Sequence, residues 1–208
     1  MSLLDERQRL GRRARLLAGV SVAYNSVEAV VAITAGATAG SAALVGFGLD
    51  SVVEVSSGLV ILWQFGHALP ETRERQAQRL IALSFFALAA YVVQDSLRAL
   101  LAGADPDVSR VGIALAALSL LVMPLLSRAQ RRTGVALGSA AVVGDGTQTL
   151  LCAYLSAVLL GGLLLNAGFG WGWADPLAGL VIAAVATREG RETWRGQGCC
   201  GPAAGGCA

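Results

Sequence analysis

At 208 residues, with 55% hydrophobic and only 14% charged side chains and a mean hydropathy of +0.62, the chain is too apolar for a soluble domain of its size. That excludes a cytosolic module and a nucleic-acid partner, and it leaves a multi-pass membrane protein whose first partner is the lipid bilayer. The formal net charge of +2 carries little by itself. All sixteen cationic residues are arginine, and their placement is what informs.

The amino-terminal stretch, residues 1–15, holds Arg7, Arg9, Arg12, Arg13 and Arg15 and turns apolar at Leu16 with no small-residue cleavage site, so it reads as a cytoplasmic lead and not as a signal peptide. A first spanning segment follows over about residues 16–37, interrupted by Asn25 and Glu28, which lie three apart and share a helix face. After a short uncharged turn the second segment reaches about residue 65, and a loop over 67–79 brings His67, Pro70 and three arginines. A third segment covers about 80–101, and Asp105, Pro106 and Asp107 mark a turn. The fourth covers 111–126 and ends at the basic run Arg128, Arg131 and Arg132; the fifth is clearest over 147–167; the sixth opens near Trp173 to Pro176 and ends near Thr187.

The expected fold is therefore an all-α integral membrane bundle of six transmembrane helices spanning residues 16–190, with a tail over 191–208. Fourteen of the sixteen arginines fall in the amino terminus, the second and fourth loops and the tail, which places the amino and carboxyl termini in the cytoplasm by the positive-inside rule. An even number of spans demands the same. The cell membrane is the expected location. The tail carries Cys199, Cys200 and Cys207 among glycines; it reads either as a soft-metal capture arm or as chain whose thiols do nothing specific.

The costly feature is in segment two. In GFGLDSVVEVSSGLVILW (46–63), Asp50 and Glu54 stand one helical turn apart on one face of an otherwise apolar span. A charged side chain at the bilayer centre costs about 2.5–3.5 kcal/mol even on permissive insertion scales, so two acids there need a cation, a proton or buried donors. In segment five, GDGTQTLLC places Asp145, Gln148 and Cys152 at i, i+3 and i+7 on one face. Packing that face on Asp50 and Glu54 would gather two carboxylates, an amide oxygen and a thiol around one divalent ion. Asn25, Glu28, Asp145 and Thr149 are then candidates for a path or entrance; Asn25 and Glu28 equally fit a bridge to another helix, Asp145 reads as a helix-start or cytoplasmic-entrance residue, and Asp175 as a cap at the start of the sixth segment.

With these residues in view, the chain resembles the cation diffusion facilitators, exporters that exchange divalent metals for protons. The resemblance rests on SAALVGFGLDSVVEVSSG with its acidic pair, on the cytoplasmic Arg131 to Thr133, on the fifth-segment motif and on Ala174–Asp175 after a Trp-containing turn. In the fifth-segment motif Gly144 and Asp145 take the place of an Ala-Asp dipeptide, and Gln148 and Cys152 fall where that family has His and Asp. A register shifted by one turn would pair Asp145 with Thr149 instead. The resemblance implies metal efflux by antiport with protons, with a metal site between the second and fifth helices. It also implies that the usual carboxyl-terminal cytoplasmic metal domain is lacking, which leaves a homodimer open.

The cargo is a divalent transition metal, Zn first, with Cd, Mn, Fe and Co also compatible: a thiol favours softer ions, whereas Glu54 and Gln148 accept harder ones. A membrane metal sensor or partner subunit that keeps the fold without transporting is the alternative. An enzyme is the weakest reading, because the spans show no paired nucleophile and base.

Overall fold

The computed structural model describes residues 3–64, 71–103 and 106–195, and within them every regular element is helical. The order is α1 (Leu3–Ala39), α2 (Ala42–Gln64), α3 (Glu71–Ala102), α4 (Arg110–Leu137), α5 (Ala140–Phe169) and α6 (Ala174–Trp194). His67, Cys199, Cys200 and Cys207 lie outside the described residues.

Two helical hairpins are closed by the same two residues. Gly40 between α1 and α2 and Gly138 between α4 and α5 adopt φ of +66° and +65°, left-handed backbone that glycine enters at no steric cost. The next residue is serine each time, and its hydroxyl caps the following helix: Ser41 accepts from Leu44 N at 3.1 Å and Ser139 from Val142 N at 3.5 Å. Helix α2 gains a second, long-range cap from Asp175 of α6, whose carboxylate accepts from Ser41 Oγ at 2.5 Å and Ala43 N at 3.4 Å. Asp175 was expected to cap its own helix; it caps α2 instead, because the chain folds α6 back against the start of α2.

Helix ends and membrane depth part company in three places. The arginines expected in loops, Arg73, Arg75, Arg79, Arg128, Arg131 and Arg132, sit on α3 and α4, which run on past their apolar stretches. Arginine is a good helix former, so its charge marks where the bilayer ends and not where the helix does. Helix α5 likewise begins at Ala140, not near residue 147. Its glycine-rich start lets it lie close on α4: a Cβ on Gly146 would stand 2.7 Å from Arg131 Cγ and 3.0 Å from Arg131 N. Ser127 Oγ uses that approach to donate to Gly146 O at 2.5 Å.

The helices pair as α1 with α2, α4 with α5, and α3 with α6, and α2 also touches α3, α5 and α6. One apolar core gathers Phe47, Leu44, Ala116, Met123, Leu159 and Ile182 from four helices; a second joins Val53 of α2 to Phe85, Leu88 and Val92 of α3 and Ala186 of α6. The bundle is apolar outside as well: Leu16, Val27 and Val30 of α1, Leu121 and Leu125 of α4 and Tyr154 of α5 are exposed, while serines, acids and amides are buried. That arrangement suits lipid, where apolar surface has no reason to hide and polar groups do. Five helices, α1 to α5, are long and apolar enough to cross a membrane. Helix α6 has 21 residues, but Asp175 and the charges from Arg188 onward shorten its apolar run. Over the described residues the protein is thus the all-α membrane bundle of six helices expected from its sequence.

Candidate cation site

Asp50 and Glu54 point inward from α2, only 6% and 7% exposed, among four helices that supply the rest of the site. Helix α5 crosses α2 and presents Asp145, Thr149 and Cys152 on its buried face. The Cys152 thiol, 1% exposed, lies near the Glu54 carboxyl and donates to Glu28 Oε2 at 3.9 Å. The acids of α2 and the thiol of α5 are brought together.

Gln148 is brought to α2 in another way. It is half-buried, and its side-chain oxygen accepts from Ser57 Oγ at 3.1 Å, while its amide nitrogen is buried without a hydrogen-bond partner. Asp145 is not at a helix start, as its position in the sequence suggested. It lies inside α5, 6% exposed, and accepts from Gln130 Nε2 of α4 at 2.6 Å. Thr149 spends its hydroxyl on the Asp145 carbonyl of its own helix at 3.0 Å. The three cysteines of the tail lie beyond the described residues.

The centre of the polar network is Glu28 of α1. Its carboxylate accepts from Ser51 Oγ of α2 at 2.9 Å, from Ser119 Oγ of α4 and from Cys152 of α5. Tyr24 Oη, one turn earlier on α1, meets Ser119 Oγ at 2.8 Å. Four helices therefore converge on one acid, and the carboxyls of Glu28, Asp50 and Glu54 lie within Coulombic reach of one another. Glu189 of α6 also reaches Asp50. It sits just past the apolar part of its helix, where burial and the nearby Glu192 push its carboxyl above the usual range and Arg188 partly offsets them.

Some buried atoms remain without partners. Among the described residues Glu54 Oε2, Asn25 Oδ1 and Gln130 Oε1 have no hydrogen bond. An orphaned buried acceptor costs about 1–3 kcal/mol, more for a charged group, so these oxygens are set up to receive a cation or donor. In this arrangement no three His, Cys, Asp or Glu side chains among the described residues stand in metal-holding geometry. Two of the donors are occupied: Glu28 by hydroxyls and Gln148 by Ser57.

The match to known proteins decides the family. A family model for the cation efflux transmembrane domain covers residues 18–195. The chain belongs to the cation efflux family. The chain is also similar to Transmembrane protein 163 of Xenopus laevis, at 26% identity over 149 residues, 70% of this chain and 53% of that protein. The chain thus spans about half the length of the curated relative it matches. As a cation efflux protein it is a member of a transporter family, and α2 and α5, which carry Asp50, Glu54 and Cys152, both lie inside the matched region.

Sequence reading missed Ser51, Ser119, Gln130 and Glu189. The α4 residues had a legible signal: Gly112, Ala116, Ser119, Met123, Ser127, Gln130 and Thr133 recur every three or four positions and are the buried face of a Leu-rich helix. In a membrane the small and polar stripe, not the apolar one, marks the interior.

Proposed function

We propose that this protein carries a divalent transition-metal cation across the membrane, out of the cytoplasm and in exchange for protons, at a site between α2 and α5 built on Asp50, Glu54 and Cys152. The observation that supports it best is the unpartnered Glu54 Oε2, held at a buried crossing beside Asp50 and the Cys152 thiol. A cation there would satisfy that oxygen and offset the repulsion between acids one turn apart. Gln148 would join by giving up Ser57, an exchange that costs one neutral hydrogen bond, worth about 0.5–1.5 kcal/mol.

The remaining polar residues fit a route. Asp145 with Gln130 and Thr149 forms a buried polar step between α4 and α5, and Asp145 lies within Coulombic reach of Glu54. With the arginine-rich ends in the cytoplasm, an ion would approach along that step, and rocking of the helices would release it on the other side. Protons returning on the acids would balance the charge. Cys152 as a thiolate favours Zn and Cd over Mn, Fe(II) and Co. Cys199, Cys200 and Cys207 would serve, if they serve, as a capture arm, and a homodimer in the cell membrane is compatible with this chemistry.

The experiment is transport into liposomes holding a metal-sensitive dye, under an imposed pH gradient, across Zn, Cd, Mn, Fe(II) and Co. Metal flux that is abolished in Asp50→Asn supports the reading. Binding without flux for every ion would favour a metal sensor, and flux unaffected by Asp50→Asn would sink the site.

A further inference from the structure

The sequence leaves Glu28 as a path residue or a bridge to another helix, and three side chains from three other helices donate to it. We infer that Glu28 is a third carboxylate of the cation site, so that α1 contributes a ligand alongside α2 and α5. The inference rests on the α2–α5 site proposed above and extends it to a helix outside that pair.

Position is the first support. Glu28 is 1% exposed, and its Oε2 is 3.9 Å from Cys152 Sγ and 2.9 Å from Ser51 Oγ, which follows Asp50 on α2. An ion bound to the sulfur therefore has Glu28 in its neighbourhood, and Glu54 is near the same thiol. Glu54 and Asp50 in turn lie within Coulombic reach of Glu28. The second support is independent of the acids' grouping: Glu54 Oε2, in a side chain only 7% exposed, has no partner although it lies inside this cluster. Asn25 Oδ1, three residues before Glu28 on α1 and 1% exposed, is unpartnered too.

The hydroxyls on Glu28 agree with a ligand role. Ligating carboxylates are commonly held by hydrogen bonds that fix their orientation, and Ser51 and Ser119 hold one oxygen each. A carboxylate satisfied by hydroxyl donors can add a cation on its remaining lone pairs without losing them. Three carboxylates and one thiol form a donor set richer in oxygen than two acids and a thiol, and such a set widens acceptance toward harder divalent ions.

The test uses the full chain with Cys199, Cys200 and Cys207 changed to serine, so that Cys152 is the reporting thiol. Cd binding is read by its thiolate charge-transfer absorption, and Mn by competition. Glu28→Gln should weaken Mn by about 10- to 100-fold and Cd by less, since Mn depends more on oxygen donors. Ser26→Ala, on the exposed face of α1 two residues before Glu28, should leave both affinities within about threefold. If Glu28→Gln binds both ions as the parent does while Asp50→Asn binds neither, Glu28 is no ligand and the two-helix site stands. If Asp50→Asn also binds normally, the underlying site fails as well. Equal fractional losses of Mn and Cd binding in Glu28→Gln would make Glu28 a structural residue only. Anomalous diffraction from Cd-soaked crystals needs no variant to fold. Cd bonded to both Cys152 and Glu28 supports the inference, and Cd held by Asp50, Glu54 and Cys152 without Glu28 overturns it.

Discussion

Gly48→Ala should loosen the site without touching any of its side chains. Gly48 lies on α2 one turn before Ser51, where α1 packs tightly against it: a Cβ there would stand 2.8 Å from Ile33 Cγ1, 2.9 Å from the Ile33 backbone nitrogen and 3.0 Å from Ala32 Cβ. The side-chain contact could adjust, but the backbone nitrogen cannot. Restoring ordinary contact at 3.4 Å requires α1 and α2 to part by about 0.5 Å. The same displacement stretches the 2.9 Å bond between Ser51 and Glu28 to about 3.4 Å, near the limit of a hydrogen bond. Overpacking costs about 1–3 kcal/mol, and replacing a mid-helix glycine returns about 0.5–1 kcal/mol, so the net loss is about 0.5–2 kcal/mol. Gly19→Ala on α1 is the control, since a Cβ there meets nothing within 4 Å, and it should be neutral or slightly stabilising. Reversible unfolding in mixed detergent micelles, with Cd titrations on the folded variants, measures both effects. If Gly48→Ala matches Gly19→Ala in stability and in metal affinity, α1 is not seated against α2 as described, and its link to the acids fails with it.

Two further outcomes follow from other parts of the structure. Asp175→Ala removes the acceptor for Ser41 and Ala43 at the start of α2 and should cost about 1–3 kcal/mol in the same unfolding assay, whereas a variant as stable as the parent would show that the cap contributes nothing. Cys152→Ser exchanges a soft ligand for a hard one of nearly the same size, so Cd flux should fall by about tenfold or more relative to Mn flux in liposomes; an unchanged Cd to Mn ratio would remove the thiol from the site.

The number of helices, their apolar character and the inward acids of α2 were legible because the bilayer imposes them locally. Twenty apolar residues, or two acids one turn apart among valines, have few meanings in a membrane. The arginines likewise marked where the bilayer ends, although the helices themselves run further. Asp50, Glu54 and Cys152 converge, whereas Gln148 is turned to Ser57 and Asp145 to Gln130. Periodicity assigns that amide and that acid to a face, but it cannot say which neighbour shares their hydrogen bonds.

Sequence alone thus determined that this chain crosses a membrane and carries acids it must compensate there, because both facts follow from the solvent each residue meets. Tertiary structure decided which acid is central. Asn25 and Glu28 are two polar residues on a long apolar helix, and nothing within α1 distinguishes a path from a bridge. Only the crossing of α1 with α2, α4 and α5 aims Ser51, Ser119 and Cys152 at Glu28. Those donors come from positions 23, 91 and 124 residues away, a separation over which helical spacing carries no information.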